Sequence, residues 1–410
     1  MSNKRVGIIG AGPAGLMAAG RAAELGHKVY VFEKNRRAGR KLMITGKGRC
    51  NITNACPEEE LIRHIPGNGR FLYSSLSRFS NHDIMAFFQD RGVRLKIERG
   101  NRVFPESDKA SDICDALVDY ALKNRAVIRY NASVKDVVAR DGQVNGLILE
   151  NGDFYELDAV VIATGGLSYP LTGSTGDGYR MARKLGHTVT DLKPSLVPLE
   201  TVETWVKEVS GLTLKNVGLT VYDPNGRKVF EEQGEMLFTH FGVSGPLILS
   251  ASRHILDCGF SGAQLVIDMK PALSEETLDR RIQRDFEKFS RKQFSNALHE
   301  LLPRSMIPVV IQLLRIPPEK PVHQITRQDR QRMVSLLKGI RLTVSRSRPI
   351  AEAIVTAGGI RISEIDPRTM ESKLVRGLYF AGEIIDVDAY TGGYNLTIAL
   401  STGYTAGNSI

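Results

Sequence analysis

The hydrophobic positions of residues 5–34 predict a strand, a helix and a second strand, in that order. Residues 6–9 form a short apolar run, long enough for a buried parallel strand. Residues 16–25 are rich in alanine and suit a helix, and Gly26 supplies a stop for it. Residues 27–32 predict the second strand. This order is typical of a βαβ unit in a parallel sheet.

Three glycines spaced G-x-G-x-x-G fill the turn between the first strand and the helix, and an acid ends the second strand. The first glycine permits a sharp turn, the second leaves room for a pyrophosphate, and the third lets the helix lie close to the sheet. The helix N-terminus offers unpaired N–H groups to phosphates, and an acid about 20 residues past the glycines suits ribose hydroxyls. We predict a dinucleotide site here, rather than an ordinary glycine turn. Its expected residues are Gly10, Gly12, Pro13, Ala14, Gly15, Glu33 and Lys34.

A polar loop at residues 36–54 follows the second strand and carries six basic residues and three glycines. The positive charge suits a pyrophosphate, and glycine lets the backbone approach a ring. The alternative is a solvated basic loop. The expected cofactor contacts are Arg40, Lys41, Thr45, Gly46, Lys47, Gly48, Arg49, Cys50 and Asn51. A redox role for Cys50 is the weaker interpretation, because no C-x-x-C pair is present.

Residues 57–125 are predicted to be mainly helical, with apolar faces at 71–88 and 111–122 and Ser111 as the cap of the second. A strand and a hairpin follow between 127 and 157.

A further parallel strand is predicted at residues 158–162, and it ends on A-T-G-G. Small residues at a strand end let the backbone contact a ligand. The cofactor contacts expected in this part of the chain are Val134, Ala163, Thr164, Gly165 and Gly166.

From about residue 194, short segments separated by turns predict a small β-barrel or sandwich, and several helices follow over 274–340. The first pattern then returns, with a strand at 377–383 that ends on glycine and an acid, and a glycine turn and helix at 391–407. We therefore predict a nucleotide-binding domain that is split in sequence. The expected domains are 1–192 with 350–410, a barrel of 193–272 with 341–349, and a helical insert of 273–340.

Composition favours a folded chain of two or three domains. The sequence has 410 residues and 42% hydrophobic residues, which argues against disorder. No apolar run approaches the ~18 residues of a membrane span, and the N-terminus lacks the pattern of a signal peptide. The four cysteines show no zinc-ligand spacing, so no metal site is predicted. We expect a cytoplasmic protein.

The formal net charge is +10, and most of it lies between residues 271 and 350, with sixteen Lys/Arg against eight Asp/Glu. A basic module can bind nucleic acid or an anionic substrate. The alternative is a soluble helical face with surplus arginine. We prefer that alternative here, because no aromatic interleaving accompanies the charge.

Together these motifs resemble a two-dinucleotide-fold flavoprotein, and more specifically the HI0933-like flavoprotein family. The resemblance covers essentially the whole chain and is most particular at residues 39–54, 172–187, 236–248 and 377–395. Members are described as NAD(FAD)-utilising dehydrogenases or as aminoacetone oxidase-family FAD-binding enzymes. The resemblance implies an α/β, Rossmann-like FAD-binding domain, split in sequence, with an inserted β-barrel module and a small helical insert.

The resemblance also implies roles at the C-terminal return. An acid after a strand-end glycine would contact the ribityl chain of non-covalently bound FAD, and the next helix would direct its N-terminus toward the flavin pyrimidine. The residues concerned are Gly382, Glu383, Gly392, Gly393, Tyr394 and Asn395.

The expected function is that of an FAD-dependent oxidoreductase, an oxidase or a dehydrogenase, that acts on a small organic molecule. The alternatives are a nucleic-acid-associated, tRNA-modifying flavoprotein that uses the basic insert, and an NAD(P)H-dependent flavin reductase. FAD with a purely structural role is a further alternative. No second nicotinamide-binding unit is evident, so NAD(P)H would bind transiently. His240 is a candidate acid or base and Tyr169 a candidate at the flavin face, each with a structural role as the alternative.

Overall fold

The computed structural model describes residues 3–410. The chain forms two compact units, one running up to Ser195 and continuing with Ile350–Ile410, the other Leu196–Pro349. The finer domain boundaries predicted from the sequence stay predictions.

The strands of the described chain follow in order. They are β1 (Arg5–Ile9), β2 (Lys28–Glu33), β3 (Thr53–Asn54), β4 (Leu95–Glu98), β5 (Arg102–Pro105), β6 (Val127–Tyr130), β7 (Val134–Arg140), β8 (Gln143–Leu149), β9 (Phe154–Glu156), β10 (Ala159–Ile162), β11 (Lys193–Ser195), β12 (Leu199–Thr201), β13 (Thr213–Tyr222), β14 (Lys228–Phe238), β15 (Gly242–Ser244), β16 (Gln264–Asp268), β17 (Ile340–Ser347), β18 (Val355–Ala357) and β19 (Leu378–Phe380).

The α-helices are numbered in the same way. They are α1 (Pro13–Glu24), α2 (Arg40–Ile44), α3 (Glu58–Arg63), α4 (Tyr73–Arg78), α5 (Asn81–Gln89), α6 (Ala110–Lys123), α7 (Asp177–Lys184), α8 (Pro246–Ile255), α9 (Glu275–Lys288), α10 (Phe294–Ala297), α11 (Met306–Leu314), α12 (Arg327–Lys338) and α13 (Tyr394–Ser409).

A five-stranded parallel sheet organises the first unit, in the order β19-β10-β1-β2-β6. Ile9 lies opposite both Ile162 and Phe32, and Ile162 lies opposite Phe380. The carboxyl ends of four strands therefore meet at one edge, where ligands bind in open α/β sheets. The Rossmann-like fold expected from the sequence is confirmed.

The apolar runs of the central strands are explained by burial on both faces of the sheet. All four residues of β10 are buried, as are residues 6–9 of β1. Helix α1 packs against α6 and against α13, the last helix of the chain. The N-terminal βαβ unit and the C-terminal return thus share one core.

Residues 57–125 are less helical than the sequence suggests. Strands β4 and β5 form an antiparallel hairpin there, and β5 also pairs with β3. The hairpin was missed because its strands are four residues long and β4 is half exposed. The helix predicted at 71–88 is broken, and α5 starts from a capping box of Ser80 with Asp83. The predicted cap at Ser111 is wrong, because α6 begins at Ala110 after Lys109 and has no side-chain cap.

A closed barrel forms the second unit, with the antiparallel order β12-β15-β14-β13-β16-β17. The barrel is confirmed over the sandwich. The same unit contains α9 to α12, in the region predicted to be helical, and α8, which the sequence reasoning missed. No helix among residues 3–410 has the length and apolar character needed to cross a membrane.

Candidate functional site

A cleft opens at the carboxyl edge of the parallel sheet, where β1, β10 and β19 each run into small residues. Sixteen of the predicted cofactor residues line it. They are Gly10, Gly12, Pro13, Ala14, Glu33, Lys34, Arg40, Lys41, Thr45, Val134, Ala163, Thr164, Gly165, Gly382, Glu383 and Asn395. The fold therefore brings together residues from five separate parts of the sequence.

The first turn of α1 at this cleft is built to receive an anion. Gly12 is the N-cap and provides no side-chain hydrogen bond, and the turn carries no acidic residue. A Cβ added to Gly12 would have no protein atom within 4 Å, so it would project into open space. The unpartnered N–H groups and positive dipole end of the helix fit a pyrophosphate there.

Gly15 lies outside the cleft lining and serves the packing of α1 against the sheet. A Cβ at Gly15 would overlap the carbonyl oxygen of Gly10 and lie 3.3 Å from Ile8 Cγ2. Close approach of helix and strand therefore depends on this glycine.

The carboxylate of Glu33 is held at the end of β2 by backbone donors. Its Oε2 accepts from the N–H of Ala11 at 2.9 Å, and its Oε1 accepts from the N–H of Asn35 at 2.8 Å. The Nδ2 of Asn35 donates to the same Oε1 at 2.7 Å and also to the carbonyl of Thr172 at 3.1 Å. This network fixes an acceptor group at the position expected for a ribose.

Lys34, which follows Glu33, lies in one wall of the cleft. Its Nζ lies 2.6 Å from Asp177 Oδ2 and 2.5 Å from Thr175 Oγ1. Asp177 starts α7, so this pair joins the end of β2 to a segment more than 140 residues later.

A polar network surrounds Glu383 in the segment after β19. Its Oε2 lies 2.7 Å from Lys41 Nζ, and its Oε1 accepts from the N–H of Thr356 at 2.9 Å and the Oγ of Ser168 at 3.0 Å. Lys41 also donates to Ser168 Oγ at 2.5 Å. Both charged side chains keep about a fifth of their surface exposed, so the pair is accessible from the cleft.

Two more features belong to residues that line the cleft. The Thr164 hydroxyl lies against Gly178 of α7, since a Cβ added to Gly178 would overlap it. The Oγ1 of Thr164 is buried and has no hydrogen-bond partner in the described part of the chain. Helix α13 begins after Gly393 without a side-chain cap, and Asn395, Leu396, Ile398 and Ala399 in its first turns line the cleft. The side chain of Asn395 is held by Ala389. Its Oδ1 accepts from the N–H of Ala389 at 3.0 Å, and its Nδ2 donates to the carbonyl of Ala389 at 2.9 Å.

These donors, the open helix ends and the apolar walls fit a long dinucleotide such as FAD. An uncapped helix N-terminus favours an anion. Other lining residues were not predicted from the sequence. Those of the turn at 173–176 were discounted, because no apolar strand precedes that turn. The missed lining includes Asn35, Ala132, Ser133, Thr172, Gly173, Ser174, Asp177, Met181, Ile354, Val355, Val387 and Leu396.

Several predicted residues lie outside this lining. Arg49 pairs with Glu98 and, at 2.7 Å, with Asp108, and it lies over the ring of Phe104. Tyr394 stacks on His64 with ring centroids 4.6 Å apart. The remaining ones are Gly15, Gly46, Lys47, Gly48, Cys50, Asn51, Gly166, Gly392 and Gly393.

The Cys50 thiol is fully buried, and burial raises its pKa to about 12. A thiolate is the reactive form, so this environment disfavours redox chemistry at Cys50.

The two candidate catalytic residues lie in different units. Tyr169 directly follows Ser168, has a left-handed backbone with φ 51° and is half-buried; burial raises the pKa of its phenol. His240 lies in the second unit, in the turn between β14 and β15, with its ring edge-on to Phe241. Neither residue is among those that line the cleft, so their catalytic roles stay predictions.

Comparison with known proteins gives a full-length match. The model of the HI0933-like protein Rossmann domain matches residues 4–409. The 3-dehydro-bile acid delta(4,6)-reductase of Clostridium scindens is 30% identical over 410 residues, covering 99% of this chain and 98% of that protein. The ribosomal RNA dihydrouridine synthase of Escherichia coli is 31% identical over 406 residues, covering 98% of this chain and 97% of that protein.

Solved structures share the fold at low identity. The 3-ketosteroid delta1-dehydrogenase of Sterolibacterium denitrificans superposes with a TM-score of 0.53 and 14% identity, covering 99% of each chain. At that identity the likeness concerns the fold alone.

Proposed function

The chain belongs to the HI0933-like family and is an FAD-dependent oxidoreductase, and from this premise we propose that it is a reductase that adds two hydrogens to a carbon–carbon double bond conjugated to a carbonyl group.

One observation carries the proposal, namely the reaction shared by two full-length relatives with different substrates in their names. A 3-dehydro bile acid with 4,6-unsaturation is a conjugated dienone. Dihydrouridine is uridine with two hydrogens added across the C5–C6 bond, which is conjugated to the C4 carbonyl. Both names describe reduction of an electron-poor double bond. We therefore infer the type of reaction of this chain from the relatives, and not its substrate.

The cleft residues would hold the cofactor in a defined direction. In this proposal the first turn of α1 binds the pyrophosphate, and Glu33 binds the ribose of the adenosine half. Glu383, Lys41 and the uncapped start of α13 would hold the flavin half, and the positive helix end there would favour negative charge on it.

When bound, FAD supplies a hydride to the substrate. Addition of that hydride to the β carbon places negative charge on the carbonyl oxygen and the α carbon, and a proton to the α carbon completes the reduction. We assign the proton to the Tyr169 hydroxyl, because this half-buried residue directly follows Ser168, whose Oγ donates to Glu383 of the cleft. His240 stays the second candidate. The net change is one hydride and one proton gained by the substrate.

The oxidised cofactor must be reduced again for turnover. We propose NADH or NADPH as the hydride donor, bound transiently, because the sequence has one G-x-G-x-x-G turn in a βαβ context.

The test is anaerobic reoxidation of the reduced holoprotein. The flavin is photoreduced without oxygen, and a conjugated dienone steroid or protein-free ribosomal RNA is added. Return of the visible flavin absorbance supports the proposal, and the saturated ketone of the same steroid is the matched control. Reoxidation only when air is admitted would exclude reductive chemistry of this kind.

In the same assay Tyr169→Phe should slow reoxidation by about 10²-fold or more, since general acids contribute roughly that much. An unchanged flavin content would show that the loss concerns the proton and not cofactor binding. An unchanged rate would move the proton to another group, His240 first.

A further inference from the structure

The second unit carries cations that no acid neutralises. Between residues 271 and 350, eight of the sixteen Lys/Arg residues make no ion pair within 4.0 Å, and all eight are exposed. They are Arg280, Arg284, Arg291, Lys292, Arg304, Arg315, Arg327 and Arg341. Four acids of this segment lack an ion pair, and two of them lie in the first turn of α9. The accessible charge of this segment is therefore strongly positive.

Five basic residues lie on α9 and in the loop that follows it. Arg280, Arg284 and Lys288 are spaced by four residues, so they lie on one face of the helix. The opposite face buries Leu278 and Ile282, which fixes the basic face toward solvent. Arg291 and Lys292 follow in the loop after the helix, and Lys292 contacts the Phe289 ring together with Lys288. We name these five residues the basic ridge.

The loop end of the basic ridge is ordered by its own contacts. The Phe289 ring lies 4.9 Å from Lys288 Nζ and 4.3 Å from Lys292 Nζ. The carbonyl of Lys292 accepts from the N–H of Val322 at 3.0 Å. Phe289 is thus one aromatic residue inside the basic segment, although the sequence shows no regular aromatic interleaving there. A pre-ordered cationic surface loses less side-chain entropy when it binds.

The shape of the ridge selects among anions. Eight residues of helix separate Arg280 from Lys288, about 12 Å along the axis, which is longer than a single phosphate group. A row of separate, exposed cations suits a polyanion with repeated phosphates. Lys288 also pairs with Glu300 at 2.7 Å, so the remaining four carry the free charge.

We propose that the substrate double bond belongs to a structured RNA and that the basic ridge binds the phosphate backbone of that RNA. This inference rests on the proposed function, since a uracil base contains the required conjugated double bond. The names of the relatives include both a bile acid and ribosomal RNA at 30–31% identity, so the basic ridge is what favours RNA over a free small molecule.

The test measures binding of the FAD-loaded protein to protein-free ribosomal RNA as a function of salt. The ridge variant is Arg280→Ala/Arg284→Ala/Arg291→Ala/Lys292→Ala. Its matched control removes four exposed cations of the first unit that, like the substituted ridge residues, make no ion pair with the described residues, Arg78→Ala/Arg99→Ala/Lys109→Ala/Arg361→Ala. Both variants change the net charge equally, and neither removes a buried group.

The ridge variant should bind roughly 100-fold more weakly near ~0.15 M salt, and the slope of log affinity against log salt should fall by about 3. The control variant should keep the wild-type slope, and both should keep their flavin and melting temperature. Equal losses in the two variants, or RNA binding unchanged in the ridge variant, would overturn the proposal. Loss of binding to anionic lipid vesicles without loss of RNA binding would also overturn it, since the ridge would then serve a membrane surface.

Failure of this inference and failure of the proposed function give different results. If wild-type protein reduces a dienone but binds no RNA, the ridge proposal falls and the reductase stands. If RNA binds through the ridge but neither dienone nor RNA reoxidises the reduced flavin, the reductase proposal falls while the RNA surface stands.

Discussion

At the scale of single residues, Gly12 is a position where a substitution should weaken cofactor binding and leave folding unchanged. An added Cβ there has no protein neighbour within 4 Å, and the backbone is extended rather than left-handed. Gly12→Ala should therefore leave the melting temperature of the apoprotein unchanged and weaken FAD binding by roughly 1–3 kcal/mol, because the methyl group meets the pyrophosphate. The flavin-to-protein ratio after purification and an FAD titration measure this effect.

The matched control is Gly234→Ala in β14, whose added Cβ would lie 3.5 Å from Leu247 in ordinary contact. It should keep full flavin. A Gly12→Ala protein that keeps full flavin with unchanged affinity would place the phosphates elsewhere.

The cysteines differ sharply in accessibility. Cys50 is buried with a pKa raised to about 12, whereas Cys258 is exposed. A thiol-alkylating reagent at about pH 8 should label Cys258 in the native protein and leave Cys50 unlabelled until denaturation, because labelling needs an accessible thiolate. Peptide mass spectrometry distinguishes the two sites. Rapid native labelling of Cys50 would show that its surroundings open, and would revive a redox role.

His187 makes folding depend on pH. Burial lowers the pKa of its imidazole below the ordinary 6.5, and the carboxylate of Glu364, 3.2 Å away, opposes this only in part. The neutral ring is therefore favoured in the folded state, so its stabilising contribution is present above about pH 6.5 and is lost as the pH falls below that value. Nε2 also contacts the Oγ of Ser372 at 2.8 Å.

His187→Gln should reduce the fall in unfolding free energy between about pH 7 and pH 5, measured by urea denaturation. It should not abolish the fall, because burial lowers the pKa of His27 and His254 as well. An identical pH dependence in the variant would mean that the pKa of His187 is the same in the folded and unfolded states.

Much of the site could be predicted at the residue scale, because its glycines and the acid Glu33 stand at fixed spacings in one βαβ unit. The partnership of Lys41 with Glu383 could not, since the two are 342 positions apart and meet only through the sheet. Ser174 and Asp177 belong to the 172–187 motif of the family resemblance, but no apolar strand precedes that glycine turn, so no cofactor contact was predicted there. Residues brought in by tertiary packing carry no local periodicity.

At the scale of elements, α1 and α13 hold the two halves of the first unit together through small residues. An added Cβ at Gly403 would overlap the carbonyl of Ala14, and one at Gly407 would overlap that of Ala18. Both contacts are backbone atoms inside helices and have little freedom to shift. The alanine-rich composition of α1 thus reflects a close helix crossing as well as helix propensity.

Gly407→Ala should destabilise the protein by about 1–3 kcal/mol through overpacking at this crossing. Chemical denaturation of the apoprotein measures the change, and Gly12→Ala is a suitable control because the same methyl group there meets open space. A stability equal to wild type would show that the crossing can widen without cost.

Long, periodic elements were predictable and short ones were not. The sequence located β1, α1, β2, β10 and α13, whose apolar residues lie in the core of the first unit. It missed the hairpin of β4 and β5, whose residues alternate weakly, and α8, which lies among barrel strands. Strand segments of three or four residues depend on pairing partners that the local sequence does not specify.

At the scale of the whole molecule, the return of the first pattern after residue 350 revealed that the parallel sheet is interrupted in sequence. Strand β19 completes that sheet beside β10, more than 200 residues later. The return of residues 341–349 to the barrel was predicted, but the pairing of β12 with β17 that closes the barrel is shown by no local pattern. The sequence therefore left barrel and sandwich open, and topology decided between them.

The charge of the molecule also has meaning only at this scale. Half of the cations in residues 271–350 are used internally in ion pairs, and the exposed remainder is what a polyanion would meet. Composition alone could not separate these two groups.

The most direct test of the central claim is the mass of the product formed in a single anaerobic turnover. Holoprotein reduced in D2O is mixed with a conjugated dienone or with ribosomal RNA, and the product is analysed by mass spectrometry. The account predicts a product that has gained two deuterium atoms across one carbon–carbon double bond, in proportion to the flavin reoxidised. An unchanged or hydroxylated product, or reoxidation that requires oxygen, would contradict it.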